Sequence, residues 1–134
     1  MKSLKDLNEA QLEAVQYNVG PHLIVAGAGS GKTKVLTHKI AFLIEEGFDP
    51  ANILALTFTN KAAKEMKKRI NAMIGVAKAK QLWMGTFHSI LARILRIEAE
   101  SINYKQNFSI YDREDSIALV SNILLALKDR KSVV

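Results

Sequence analysis

Between Ala26 and Thr33 the chain reads AGAGSGKT, and these residue types at this spacing suit the holding of a phosphate chain. Glycines at 27, 29 and 31 let the backbone wrap closely round an anion. Successive N–H groups along Ala26, Gly27, Ala28, Gly29, Ser30 and Gly31 then turn inward, and the helix that follows adds its positive end. Lys32 supplies a mobile ammonium for the outer phosphates. Thr33 supplies a hydroxyl for Mg²⁺, a hard cation that prefers oxygen and shares itself with phosphate. The strict pattern G-x-x-x-x-G-K-[ST] has glycine where this chain has Ala26, so the match is to a relaxed form. An ordinary glycine turn followed by Lys-Thr is the competing reading. The apolar run before the loop and the helix-forming residues after it favour the cradle.

A cradle needs a strand behind it and a helix in front. Gly20-Pro21 punctuates the chain, His22–Ala26 reads as a strand, and Lys32–Glu46 reads as a helix stopped by Gly47 and Asp49-Pro50. Ile53 to Phe58 is a near-continuous apolar run, as expected of a strand buried on both faces. Asn60 is positioned to cap the next helix, in which Ala63, Met66, Ile70, Met73 and Ile74 recur at helical spacing until Gly75. Leu82–Met84 makes a third apolar run ending at Gly85-Thr86, and Phe87–Glu98 a further amphipathic helix. Strand and helix thus alternate three times, which predicts an α/β fold with a parallel sheet. After Ser101 the rhythm changes. Phe108–Tyr111 reads as a short extended stretch, Arg113–Lys128 as one helix, and the charged ending LKDRKSVV is expected to fray.

Composition narrows the classes. A chain of 134 residues, 49% hydrophobic, suffices for one compact domain. It has no cysteine, which removes disulfides and thiolate metal sites and suits a reducing cytoplasm. No apolar run approaches the roughly 20 residues needed to cross a bilayer. The expectation is therefore a cytoplasmic protein with no membrane partner. Nineteen Lys and Arg against thirteen Asp and Glu give a formal charge of +6, which favours polyanionic partners or serves solubility.

Gln11, in LNEAQLEAV, carries an amide whose acceptor and donor complement the N6 amine and N7 of adenine, although a glutamine on an amphipathic helix is ordinarily a solvated residue. Its surroundings bear on that choice. LNEAQLEAV, AGAGSGKT, TFTNKAAKEM (57–66) and GTFHSILARIL (85–95) resemble, in order and spacing, the first four motifs of the UvrD/Rep/PcrA family of superfamily 1 DNA helicases. The resemblance covers essentially the whole chain, and TFTNKAA and GTFH are more specific than the phosphate loop.

The resemblance implies a P-loop NTPase (RecA-like) parallel sheet flanked by helices, with ATP and Mg²⁺ as cofactors and single-stranded DNA and duplex junctions as partners. It makes Gln11 the adenine reader and gives Lys32 and Thr33 catalytic roles at phosphate and metal. Lys34 stands where the family often has arginine, keeping the charge but not the planar fork. Phe58 is expected to stack on a base, with Thr59 and Asn60 near the strand's backbone and Thr86 and His88 approaching the same strand; base stacking suits an enzyme that walks along any sequence. On residue type alone Phe58 could instead be core, His88 a local hydrogen-bonding group, and Lys61, Lys64 and Lys68 a solvated helix face that steers charge.

The family's metal-holding acids stand in D-E-x-x-D, which these 134 residues do not contain. Asp112, Glu114 and Asp115 in FSIYDRED are a weak substitute, because Ser109 interrupts the run and the segment looks like the start of the family's helical insertion. The expected organisation is the N-terminal part of a RecA-like motor domain over residues 1–100 and the start of that insertion over 101–134, an incomplete piece with little turnover. In the family the strand bearing the acids lies between the phosphate-loop strand and the TFTN strand. The two edges left bare are expected to pair with each other or with a second copy. Two other readings remain at this level: a small P-loop phosphotransferase using Arg93 and Arg96, and a non-catalytic basic nucleic-acid-binding module.

Overall fold

Several helices begin where the sequence supplies a cap, as seen in the computed structural model, described over residues 4–131. α1 (Glu9–Gln16) starts at Asn8, whose side chain accepts from the Gln11 N–H at 2.9 Å while Gln11 Oε1 accepts from the Asn8 N–H at 3.2 Å, a reciprocal capping box. α2 (Lys32–Glu45) follows Gly31, which is left-handed with φ +89° and provides no side-chain cap. A 3₁₀ turn at Pro50–Asn52, capped by Asp49, leads into β1 (Leu54–Thr57). Then come α3 (Asn60–Ile74), the single turn α4 (Val76–Ala79), β2 (Trp83–Thr86) and α5 (Phe87–Ile97). After a second 3₁₀ turn at Ala99–Ile102 the chain reaches α6 (Arg113–Lys131). Residues 132–134, the tip of the end expected to fray, lie outside the described residues.

β1 and β2 pair in parallel, from Leu54 opposite Trp83 to Thr57 opposite Thr86, with α3 and α4 as the crossover that a parallel pair requires. A core of Ile40, Ala55, Met66, Ile70, Ala79 and Leu82 fills the space between α2, the pair and the crossover. Met66 and Ile70 are fully buried, each worth about 1.5–3 kcal/mol of apolar transfer. A second cluster, Val15, Val35 and Phe42, joins α1 to α2. α2 therefore contributes to both clusters, presenting Ile40 to one and Val35 and Phe42 to the other.

Two expectations need correction. His22–Ala26 is not a strand: it has no regular secondary structure, and Leu23 and Val25 are 84% and 86% exposed. Strand and helix therefore alternate twice, not three times. The physical reason is pairing, since a strand exists only against a neighbour, and β1 pairs among the described residues with β2 alone. That also excludes, within this chain, direct pairing of the two expected bare edges. Second, Thr59 and not Asn60 caps α3, its hydroxyl accepting from the Ala62 N–H at 3.2 Å. Phe108–Tyr111, read as a short extended stretch, has no regular secondary structure.

The chain divides into two compact units, Met1–Arg93 and Ile94–Val134. In the second unit Asn103, at φ +62°, ends the 3₁₀ turn, and the Arg96 guanidinium lies 5.3 Å from the Phe108 ring. Among the described residues no helix is long and apolar enough to cross a membrane.

Candidate functional site

The phosphate loop is held from its helix side. Ser30 N–H donates to Gly27 O at 3.4 Å and its hydroxyl to the same oxygen at 2.7 Å, closing the turn. The first intrahelical bond of α2 is Val35 N–H to Gly31 O at 3.0 Å, so the amides of Lys32, Thr33 and Lys34 precede the ladder at the positive end of a 14-residue helix. Buried Thr37 locks the first turn by donating from its hydroxyl toward Thr33 O and Lys34 O, at 3.1 and 3.0 Å. Lys32 Nζ bends back over the loop and donates to Ala26 O and Gly27 O, both at 2.6 Å.

α1 meets this loop through Gln11. Its Nε2 donates to Ser30 O at 3.1 Å while its Oε1 accepts from Asn8 N–H. Both ends of the amide are thus engaged within the protein. Gly31 has no room for a side chain: a Cβ there would stand 2.8 Å from Gln11 Nε2, and the positive φ disfavours one independently. A cleft of about 240 Å³ runs between Asn8, Gln11, Ala26, Ser30 and Lys32. A second hollow of about 400 Å³ shares Lys32 and Val35 with it but extends to Tyr17, His22, Leu36 and Leu43, away from the Gln11 amide. Lys34 Nζ donates to Asp6 O, which turns it toward the segment before α1. The Thr33 side chain is exposed beside the loop.

A different surface gathers at the ends of β1 and β2. Phe58 follows β1 and is 89% exposed, so it is not core. Its ring lies 5.9 Å from that of Phe87, the first residue of α5, at a tilt of 58°. His88, Asn60 and Thr59 are exposed nearby in sequence, Thr59 with its hydroxyl used as the α3 cap. Thr86 is buried, and its hydroxyl is bonded to Ser89: it accepts from the Ser89 N–H at 3.3 Å and lies 3.1 Å from Ser89 Oγ. Gly85 explains the first letter of GTFH, because a Cβ there would meet Ser89 Oγ at 2.7 Å and Ile90 at 3.1 Å. Lys61, Lys64 and Lys68 are exposed on α3.

The acids of FSIYDRED do local work. Asp112 accepts from the Asp115 N–H at 2.9 Å and Asp115 from the Asp112 N–H at 3.3 Å, a capping box for α6. Among the described residues no group of three or more His, Cys, Asp or Glu could hold a metal. Arg93 lies over the Trp83 ring at 4.3 Å, occupied in the first unit as Arg96 is in the second.

Sequence reasoning missed three residues. Phe87 completes the aromatic pair, and an aromatic on each side of two parallel strand ends was the available signal. Asn8 was visible as the first letter of N-x-x-Q before an apolar helix. Lys39, which ties α2 to the end of α1, carried no signal that separates it from a surface lysine.

A glycine loop opening an uncapped helix, beside parallel strands joined by a helical crossover, defines an α/β nucleotide-binding fold of the RecA type. The model of the UvrD/REP helicase N-terminal domain matches residues 7–133, and the chain belongs to that family. It is 52% identical over 122 residues to an ATP-dependent DNA helicase PcrA of Staphylococcus epidermidis and 50% identical over the same length to one of Staphylococcus aureus. Each match covers 90% of this chain and 17% of the relative, so the chain spans about a sixth of the curated relatives it matches.

Proposed function

We propose that this chain provides the adenine and phosphate site, and part of the single-strand surface, of an ATP-dependent DNA helicase that moves along single-stranded DNA, unwinds duplex at junctions and works in the cytoplasm. The observation that carries the reading is the α2 N-terminus. α1 and α3 are capped by side chains, whereas α2 begins at Gly31 with none, inside a loop whose lysine already reaches the loop carbonyls at 2.6 Å. Triphosphate oxygens fit that arrangement, replacing the loop carbonyls as partners of Lys32 and accepting from the first α2 amides. ATP bound there supplies the phosphoanhydride whose hydrolysis drives the motor. Mg²⁺ fits as an ion shared with phosphate, with the exposed Thr33 hydroxyl at the start of α2 as the side chain that would ligate it. Reading adenine through Gln11 requires its amide to release Ser30 O and Asn8 N–H, which couples base recognition to the loop.

For DNA, the Phe58–Phe87 pair offers a platform for bases, worth about 1–3 kcal/mol per stacked base. Asn60 and the α3 lysines follow the end of β1, as Phe58 does, and His88 follows the end of β2, as Phe87 does. Arginines engaged with aromatic rings speak against the phosphotransferase alternative. Because no D-E-x-x-D is present and Asp112 and Asp115 are engaged in a helix capping box, turnover by the chain alone is expected to be negligible. The bare run at Leu23 and Val25 supports self-association of the chain through that edge.

Titration calorimetry with ATP and Mg²⁺ tests the reading. Binding by the wild type that disappears in Lys32→Ala supports it. Silence in the wild type, or ATPase activity of the pure chain at motor rates that Lys32→Ala abolishes, contradicts the site or the division of labour respectively. A basic binding module, by contrast, binds DNA with a steep salt dependence and ignores ATP.

A further inference from the structure

α1 is only eight residues long, too short to be stable by itself, and has no basic residue in its last turn to answer the carbonyls that a helix leaves unsatisfied there. Lys39, on α2, supplies the answer from outside. Its Nζ donates to Val15 O at 2.9 Å and also to Tyr17 O and to Asn18 Oδ1, and it stands 5.8 Å from the Phe42 ring. Burial lowers the pKa of this ammonium from its ordinary value.

The contact matters because of what the rest of the α1–α2 interface lacks. Val15, Val35 and Phe42 press the two helices together, but apolar contact is non-directional and leaves α1 able to slide and roll. Hydrogen bonds fix position. At the start of α1 the bond to the loop is Gln11 Nε2 to Ser30 O, and Gln11 must give it up to read a base. The Lys34 tie goes to Asp6, ahead of the helix. Lys39 is an anchor of α1 that does not depend on Gln11, placed on the helix that carries the phosphate loop.

We propose that Lys39 is a positioning residue for adenine selection: by fastening the end of α1 to α2, it fixes where Gln11 stands relative to the phosphate loop when the Gln11 amide turns to the base. This rests on the nucleotide reading above. The residue touches no nucleotide in this scheme, so its loss lowers discrimination between bases more than it lowers attachment of the phosphates.

The test is titration of the 134-residue chain with ATP and with GTP, both with Mg²⁺, for the wild type, Lys39→Met, Lys39→Arg and the milder Asn18→Ala, beside hydrogen exchange of residues 9–17. Lys39→Met keeps the stem and removes the charge. Its ATP-to-GTP affinity ratio is expected to fall by about fivefold, the lower end of what one bidentate base contact discriminates. Lys39→Arg retains the ratio, Asn18→Ala moves it in the same direction by less, and exchange in α1 quickens in step while α3 stays protected. General loss of stability lowers ATP and GTP binding alike, so an unchanged ratio in Lys39→Met and Asn18→Ala overturns the proposal and leaves the nucleotide reading standing. Equal binding of ATP and GTP by the wild type, or of neither, removes the adenine reading and this proposal together.

Discussion

Two segments of this chain, each an apolar run leading through a loop into a helix, reach different structures. Ile53–Phe58 becomes a paired strand, closes against β2 and passes into a helix whose first turn is capped by Thr59. His22–Ala26 stays unpaired, and passes through a glycine loop into a helix with no side-chain cap. One segment has paired an edge with β2 and capped its helix within the chain, and the other has no strand partner among the described residues and no side-chain cap at its helix terminus. An apolar run in sequence encodes a demand for neighbours, and the structure shows where that demand is met. A helix N-terminus left open in a glycine loop is suited to an anion, and an extended edge left open is suited to contact with more protein.

Stability measurements break this comparison most forcefully if it is wrong. Ile70→Ala, in the core beneath the paired strand, is expected to cost about 2–5 kcal/mol in chemical unfolding. Leu23→Ala and Val25→Ala in the unpaired run are expected to stay within about 0.5 kcal/mol of wild type. A large loss at Val25 would mean that the run is a strand in solution. Next in size is Gly31→Ala, where the left-handed backbone costs about 1–2 kcal/mol before the clash with Gln11 is counted. Gly27→Ala, with open space at its Cβ, is the matched control, expected to leave stability nearly unchanged. Thr59→Ala removes the α3 cap and is expected to cost about 1 kcal/mol, with Asn60→Ala costing less because Asn60 is not the cap. The smallest effect on stability and the clearest on association belongs to Val25→Lys. Sedimentation of the wild type at rising concentration should show dimers that this variant lacks.

Local chemistry was legible in the sequence, and pairing was not. The ends of α2 and α3 follow from Gly47 and Gly75, which adopt φ of +94° and +83°; β1 falls within its apolar run, and β2 starts in the Leu82–Met84 run and continues through Gly85 to Thr86. The glycine loop and Lys32 stood out by type and spacing, Gln11 only through the family resemblance, and the cleft brings Gln11 and Lys32 together. The missing strand at 22–26 depends on a distant neighbour that no local pattern reports. The choice between Thr59 and Asn60 as cap depends on one residue of phase between two good capping side chains. Lys39 and Phe87 act through tertiary contacts, and their types alone point equally to solvent and to core.

The central claim is that the phosphate loop is held by α1 and α2 and not by a strand behind it. Amide hydrogen exchange on the free chain tests this most directly. The account predicts near-unprotected amides at 22–26, strong protection at 35–42 in α2 and at Leu56 in β1, and added protection at 27–34 when ATP and Mg²⁺ are present. Amides at Leu23 and Val25 as slow as those of β1 in the monomer would contradict it.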